Sequence, residues 1–253
     1  MKRRPARHHA NTFGVAIFIG SLCVLLVLAA ILIKLLLVVH KSTFDGEHQF
    51  VVAEIEPTQT RFVIFNPDNN TLTTLVVTGN LSSNINYQLG FPMDGMLKTS
   101  QDILPADLPF ALVTHDSSLT RIDALRLWLF VFFGHPDVVF SQTLSMHSIA
   151  NVSAHIFSDA TVYKEALSVS VSNGTDVSGL GGRINNLLTN IGANVINVTT
   201  SPTTLTTSSV AYSGNLSYTA ARIAKLLQIP LVHLPSSTVS AITVTIGTDK
   251  NWQ

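Results

Sequence analysis

One cysteine, Cys23, occurs in 253 residues. No disulfide can close within such a chain, and no Cys-based metal site can form. An oxidising compartment permits disulfides without requiring them, so this scarcity leaves an extracytoplasmic location open. Charge is also sparse, at 12% of residues. After Lys41 there are nine Lys or Arg against fifteen Asp or Glu, a net charge of about −6. That balance excludes nucleic acid as a partner, because its phosphates call for a basic surface. It also disfavours electrostatic adhesion to anionic lipid. Neither GxxxxGK[ST] nor GxGxxG occurs, so no nucleotide cofactor is expected. His48, His115, His135, His147, His155 and His233 fall at no metal-ligand spacing, and there is no HExxH. His115-Asp116-Ser117 contains the letters of a triad, but adjacent residues cannot converge as a triad must, and no GxSxG elbow is present. No catalytic residue, cofactor or metal ligand is assigned on these grounds.

The sequence is rich in apolar residues, at 46%, concentrated near the start. Phe13 to Ile33 is 21 residues without a charge. A bilayer core needs about 20 helical residues to cross, and in lipid only a helix satisfies its own backbone. Lys34 can snorkel while Leu35 to Val39 extend the run. Residues 13–39 are therefore expected to be a transmembrane helix. Lys2, Arg3, Arg4 and Arg7 precede the span, while Lys34 and Lys41 lie at its far end. The richer side stays inside, so residues 1–12 are expected to be a cytoplasmic tail and everything after the span extracytoplasmic. A cleaved signal peptide has a shorter core, followed by a small-residue cleavage site. Here Leu28-Ala29-Ala30 runs on into more apolar residues, so an uncleaved anchor is the expectation.

Beyond a short polar linker, β-type runs occupy Phe50 to Glu56, Arg61 to Phe65 and Leu72 to Val77. The turn residues Asn66 to Asn70 make a hairpin of the last two. Gly79 to Gly95 reads as irregular, and Gly95 to Ile103 as a helix. Asp116-Ser117-Ser118 is an N-cap cluster for a helix over Leu119 to Phe133, read as a core helix with re-entry into the membrane interface as the alternative. Residues 142–160 read as a weak helix or loop, with a boundary at Tyr163-Lys164-Glu165. Then follow a strand (Leu167 to Val171), an Asn173-Gly174-Thr175 turn, and a helix (Ser178 to Ile191) closed by Gly192. A strand (Ala193 to Val198), a Thr/Ser-rich solvated loop (Thr199 to Thr207), a strand (Ser208 to Tyr212), a helix (Ser217 to Leu227) and a last strand (Ala241 to Ile246) complete it. This β-α-β-β-α-β order suits a small α+β unit with both helices on one face of its sheet.

The run LSVSVSNGTDVSGLGGRINNLL, then NIGANVINV and the closing VTIGTD, resembles the C-terminal domain of LytR-CpsA-Psr family cell-envelope proteins. The likeness rests on Val169, Val171, Asn173, Gly174, Thr175, Ser178, Gly179, Leu180, Gly182, Arg183, Leu187, Leu188, Gly192 and Val195. It continues through Ala221, Leu226, Leu227, Ile229, Pro230 and Val244 to Asp249, and covers residues 166–249. The motif residues have structural reasons. Gly174 is expected to take positive φ in the turn. Gly179, Gly181 and Gly182 are expected to let the helix approach the sheet, and Arg183 to face solvent. Asn173, Gly174, Thr175, Gly179, Gly182 and Arg183 are also the candidate binding motif, since a helix N-terminus attracts anions.

Residues 50–160 carry a weaker resemblance to the catalytic domain of the same family, in RFVIFNPDNNTLTTLVVTG and Asn84-Ile85-Asn86-Tyr87. That resemblance implies transfer of lipid-linked glycopolymer to the cell wall. The family's Arg and Asp signature is replaced here by Val77-Thr78-Gly79-Asn80. The whole reads as α+β: one transmembrane helix, a mixed α/β degenerate transferase-like domain over 44–160, and a LytR-type domain over 166–253. The expected function is membrane-anchored, non-catalytic binding of cell-wall polymer or an envelope partner protein. The alternative is a diverged phosphotransferase, for which arginines such as Arg121 and Arg126 would have to converge on a lipid-sized groove.

Overall fold

The computed structural model describes residues 12–40, 42–78, 90–99, 107, 111, 116–145, 156–235 and 240–252. Residues 1–11 of the expected tail lie outside this set, as do most of the irregular stretch from Gly79 and His115, His147 and His155, while Thr12 opens the first helix.

Helix α1 (Thr12–His40) has 29 residues, about 43 Å at 1.5 Å per residue. By length and composition it can cross a membrane. The remainder, Thr43–Gln253, forms a compact unit of its own.

That unit opens with strands β1 (Phe50–Ile55), β2 (Gln59–Asn66) and β3 (Thr71–Thr78), an antiparallel meander. The β2–β3 turn closes through Asn70, a left-handed residue at φ 49 whose N–H donates to Pro67 O. β1 and β2 are almost continuously apolar because both faces of the sheet are covered. Their alternation sorts the side chains. Phe50, Val52, Val63 and Phe65 enter one core, and Val51, Ala53, Phe62 and Ile64 the other. On the second face Phe62, Phe91 and Phe157 pack ring to ring, 4.7 to 6.0 Å between centroids.

Three expectations change here. Gly95–Lys98 is not helical but strand β4, parallel to β1. Pairing with an open sheet edge overrides a weak local preference, and residues 100–103 lie outside the described set. Asp116-Ser117 is not a helix cap but strand β5 (Asp116–Ser117), paired with β4. The cap of helix α2 (Arg121–Gly134) is Thr120, in a reciprocal capping box with Asp123. Strand β6 (Asp137–Ser145) runs parallel to β3 and reaches into the stretch read as helix or loop. The sheet order is β5-β4-β1-β2-β3-β6. α2 packs Ala124 and Leu127 on the first face.

Helix α3 (Ala160–Glu165), capped by Asp159, follows. The residues read as a boundary are its last turn, and its Val162 lies in the core of the second sheet. That sheet comprises β7 (Ser168–Asn173), β8 (Asn194–Thr200), β9 (Ser209–Ser213), β10 (Leu231–Leu234) and β11 (Ile242–Ile246), in the order β10-β9-β11-β7-β8. β7 is parallel to both β8 and β11, whereas β9 is antiparallel to β11. Helices α4 (Leu180–Asn190) and α5 (Tyr218–Leu227) cover one face. Their Ile184, Leu187, Leu188, Ala220, Ile223 and Leu227 share one core with Val169, Val171, Val210 and Val244. β10 adds a strand to the expected order. It is four residues long, begins directly after Pro230 and lies exposed at the edge, so no alternation announced it.

The two sheets are joined by buried polar contacts. Arg222 of α5 grips Asp94, whose carboxylate also accepts from Val51 N–H of β1 at 2.9 Å. Asn190 Nδ2–H donates to Gly90 O at 2.7 Å.

Candidate functional site

The motif residues meet at the carboxyl ends of β7 and β8. Asn173 closes β7. Its Oδ1 accepts from Thr175 N–H at 3.0 Å and from Thr175 Oγ1–H at 2.8 Å, and its Nδ2–H donates to Val177 O at 3.2 Å. This is a local side-chain turn of the kind Asn favours. Gly174 N–H donates to Ile246 O at 2.8 Å, and its carbonyl accepts from Leu205 N–H at 2.7 Å. Ser201 N–H donates to Asn173 O at 2.8 Å. The turn is thereby sewn to the end of β11 and to the loop after β8.

The expected reason for Gly174 is wrong. It does not take positive φ. A Cβ there would stand 2.6 Å from the Leu205 side chain, so the glycine is needed for close approach. The left-handed position is Gly179, at φ 73, which caps α4 without a side-chain hydrogen bond. Gly181 does allow the expected helix–sheet contact, since a Cβ there would meet Val198 Cγ1 at 3.1 Å. Gly182 does not, as a Cβ there meets nothing within 4 Å. Arg183 is half-buried, not solvent-facing.

Between the turn and the loop lies a crevice of about 370 Å³. Residues 173–179 form one wall and residues 200–204 the other. Asn173, Gly174, Thr175 and Gly179 line it, while Gly182 and Arg183 do not. Thr204 Oγ1–H reaches across to Asp176 Oδ1 at 3.4 Å. Hydroxyls and peptide groups dominate the lining, and Asp176 is its one ionisable residue. The loop read as merely solvated is thus a wall of the crevice. A Thr/Ser-rich segment following a strand parallel to β7 was the available signal, because crevices in open sheets form outside the carboxyl ends of strands. The far end of that loop is locked by the closing Gly247-Thr248-Asp249. Asp249 accepts from Ser208 Oγ–H and from Ser208 N–H at 2.9 Å, and Ser208 Oγ accepts from Gly247 N–H at 2.8 Å. The Ser208 donors hold the Asp249 carboxyl below the usual carboxylate range.

A smaller crevice, about 160 Å³, lies between the segment entering β1 and α5. His48 stacks on Tyr218 at 4.0 Å, and its Nδ1 lies 2.8 Å from Asp45. Tyr218 Oη–H donates to Asp159 at 2.7 Å. Burial first, and that bond to Asp159, push the phenol pKa up. Arg222 is 4% exposed. Burial alone would lower its pKa, but Asp94 and then Asp159 outweigh this and raise it, so it stays cationic. This is a clamp between the sheets.

The other cations of the first sheet are engaged separately. Arg61 pairs with Glu54 on the neighbouring strand at 3.2 Å. Arg126 donates to Phe44 O at 2.5 Å, and Arg121 is exposed at the first turn of α2. Among the described residues, no group of three or more His, Cys, Asp or Glu lies close enough to hold a metal ion.

Residues 166–249 match the family model described as LytR cell envelope-related transcriptional attenuator, over the same span on which the motif resemblance rests. This C-terminal LytR-type domain indicates a cell-envelope-associated protein. No curated protein and no solved structure matches the chain.

Proposed function

We propose, from the premise of a LytR-type C-terminal domain, that this chain is a membrane-anchored extracytoplasmic binding protein. In this reading α1 holds the protein in the cell membrane with the basic N-terminus inside. The crevice between residues 173–179 and 200–204 takes a hydroxyl-rich segment of cell-wall polymer. One observation carries the reading: the Asn-Gly-Thr turn and the Thr/Ser-rich loop border a crevice lined chiefly by hydroxyl, amide and peptide groups. Such a lining offers donors and acceptors together, as a polyhydroxylated chain requires, and its single carboxylate suits a neutral ligand. Binding of an envelope protein by the same crevice is the competing outcome.

The test is retention of the detergent-solubilised full chain on isolated cell-wall material at low salt. Thr204→Trp fills the crevice from an exposed position and should reduce retention about tenfold, a loss of about 1.4 kcal/mol. Retention unchanged in that variant removes the crevice from the binding surface. No retention of the parent chain removes polymer binding altogether.

A further inference from the structure

Helix α2 is apolar on both sides. Its inward face packs on the first sheet through Ala124 and Leu127. Its outward face presents Trp128, Leu129, Phe132 and Phe133, which are 40%, 38%, 53% and 69% exposed. Val138 and Val139, at the start of β6, are 68% and 63% exposed. Trp128 and Phe132 stack at 5.0 Å between centroids, and Phe133 meets Phe132 edge-on at 5.1 Å. From Leu127 to Phe133 the helix is apolar all round, a pattern that belongs in a core or in lipid, and no neighbour within the described residues covers this face.

We propose that the outward face of α2 and the first residues of β6 insert into the interfacial layer of the bilayer that carries α1. This rests on the anchor reading above. Covalent connectivity supplies the reason. The apolar run of α1 ends at Val39. Thr43 N–H and Phe44 N–H donate to Asp123 Oδ1 at 2.7 and 2.8 Å. Phe44 O accepts from Arg126, and the Phe44 ring packs against Phe130 at 6.5 Å. The residues just after the apolar run are therefore pinned to α2 itself. The five extended steps from Val39 to Phe44 reach at most about 18 Å. The start of α2 is thus joined to the end of the apolar run by a short segment, and at a bilayer surface Trp and Phe partition with the ring in the apolar boundary. Net charge after Lys41 is about −6, so the contact is apolar and should not depend on salt.

Tryptophan fluorescence tests this, because the chain has only two tryptophans and Trp252 is 2% exposed in the second core. The full chain is reconstituted in phosphatidylcholine vesicles with and without brominated acyl chains. Bromine should quench a blue-shifted emission that Trp128→Phe removes, equally at low and high salt. Trp128 quenched by aqueous iodide and not by bromolipid overturns the inference, since the face then meets water. Trp128 shielded from both quenchers also overturns it, since a second copy then covers the face. Vesicle flotation separates the two readings: a chain that fails to float removes the anchor and this inference together. A floating chain with Trp128 in water removes this inference alone.

Discussion

Gly174 shows how one residue can be required for a reason other than its usual one. Its φ is unexceptional, yet the Leu205 side chain occupies the space a Cβ would need, and the backbone on both sides of it is bonded. Relief by a rotamer change is limited, because Leu205 Cβ itself lies 2.6 Å from where that Cβ would stand and Leu205 N–H is held by Gly174 O. Gly174→Val should therefore destabilise the full chain by about 1–3 kcal/mol, as overpacking does, read as a lowered unfolding midpoint in detergent. Arg183→Ala, on a half-buried helix position outside the crevice, should shift that midpoint less. Sequence pattern located Gly174 through its place after Asn173. The partner that demands a glycine is Leu205, far downstream in a loop with no periodicity, and no local rule names it.

At the scale of elements, α5 has two caps at its N-terminus. Ser217 Oγ accepts from Ala220 N–H at 3.1 Å, and Glu165 of α3 adds a second cap. Its carboxylate accepts from Tyr218 N–H at 3.0 Å, Thr219 N–H at 2.7 Å and Thr219 Oγ1–H. Burial would raise the Glu165 pKa, but the Thr219 and Tyr218 donors outweigh it and hold the carboxyl below the ordinary Glu range. A depressed carboxyl contributes stability above its unfolded pKa, about 4.3, and that contribution is lost as pH falls through the folded value. Glu165→Gln should lower the unfolding midpoint at pH 7, and the gap from the parent should close below about pH 4. A gap constant with pH would show that the ionised form does not matter. Ser217 was legible as a cap from its place before an apolar periodic run. Glu165 was not, because it lies 53 residues before Tyr218 and meets α5 only through tertiary packing.

At the scale of the whole molecule, Arg222, Asp94 and Asp159 tie the two sheets together. Arg222→Met leaves the Asp94 carboxylate buried without its guanidinium, which typically costs about 3–5 kcal/mol. Replacing both members of such a pair by apolar residues is often nearly neutral. The double variant Arg222→Met, Asp94→Leu should therefore lose less than the sum of the single losses, with a residual loss because Val51 N–H and Asp159 lose a partner, and additive losses would refute a coupled clamp. What the sequence determined by itself was local. The apolar run set a membrane-length helix, short apolar-rich runs separated by turn residues set β1 to β3, and capping residues with 3.6-residue spacing set α4 and α5. Turn-forming residues between a strand and a helix start placed the Asn-Gly-Thr turn. What tertiary structure decided was every feature whose partner is remote. Gly95–Lys98 became a strand because β1 offered an edge, the Thr/Ser loop became a crevice wall because β8 lies parallel to β7, and Arg222 was buried because Asp94 met it. Periodicity and propensity register what a residue meets within a few positions of itself, whereas pairing, close approach and ion pairing depend on segments that only the folded chain brings together.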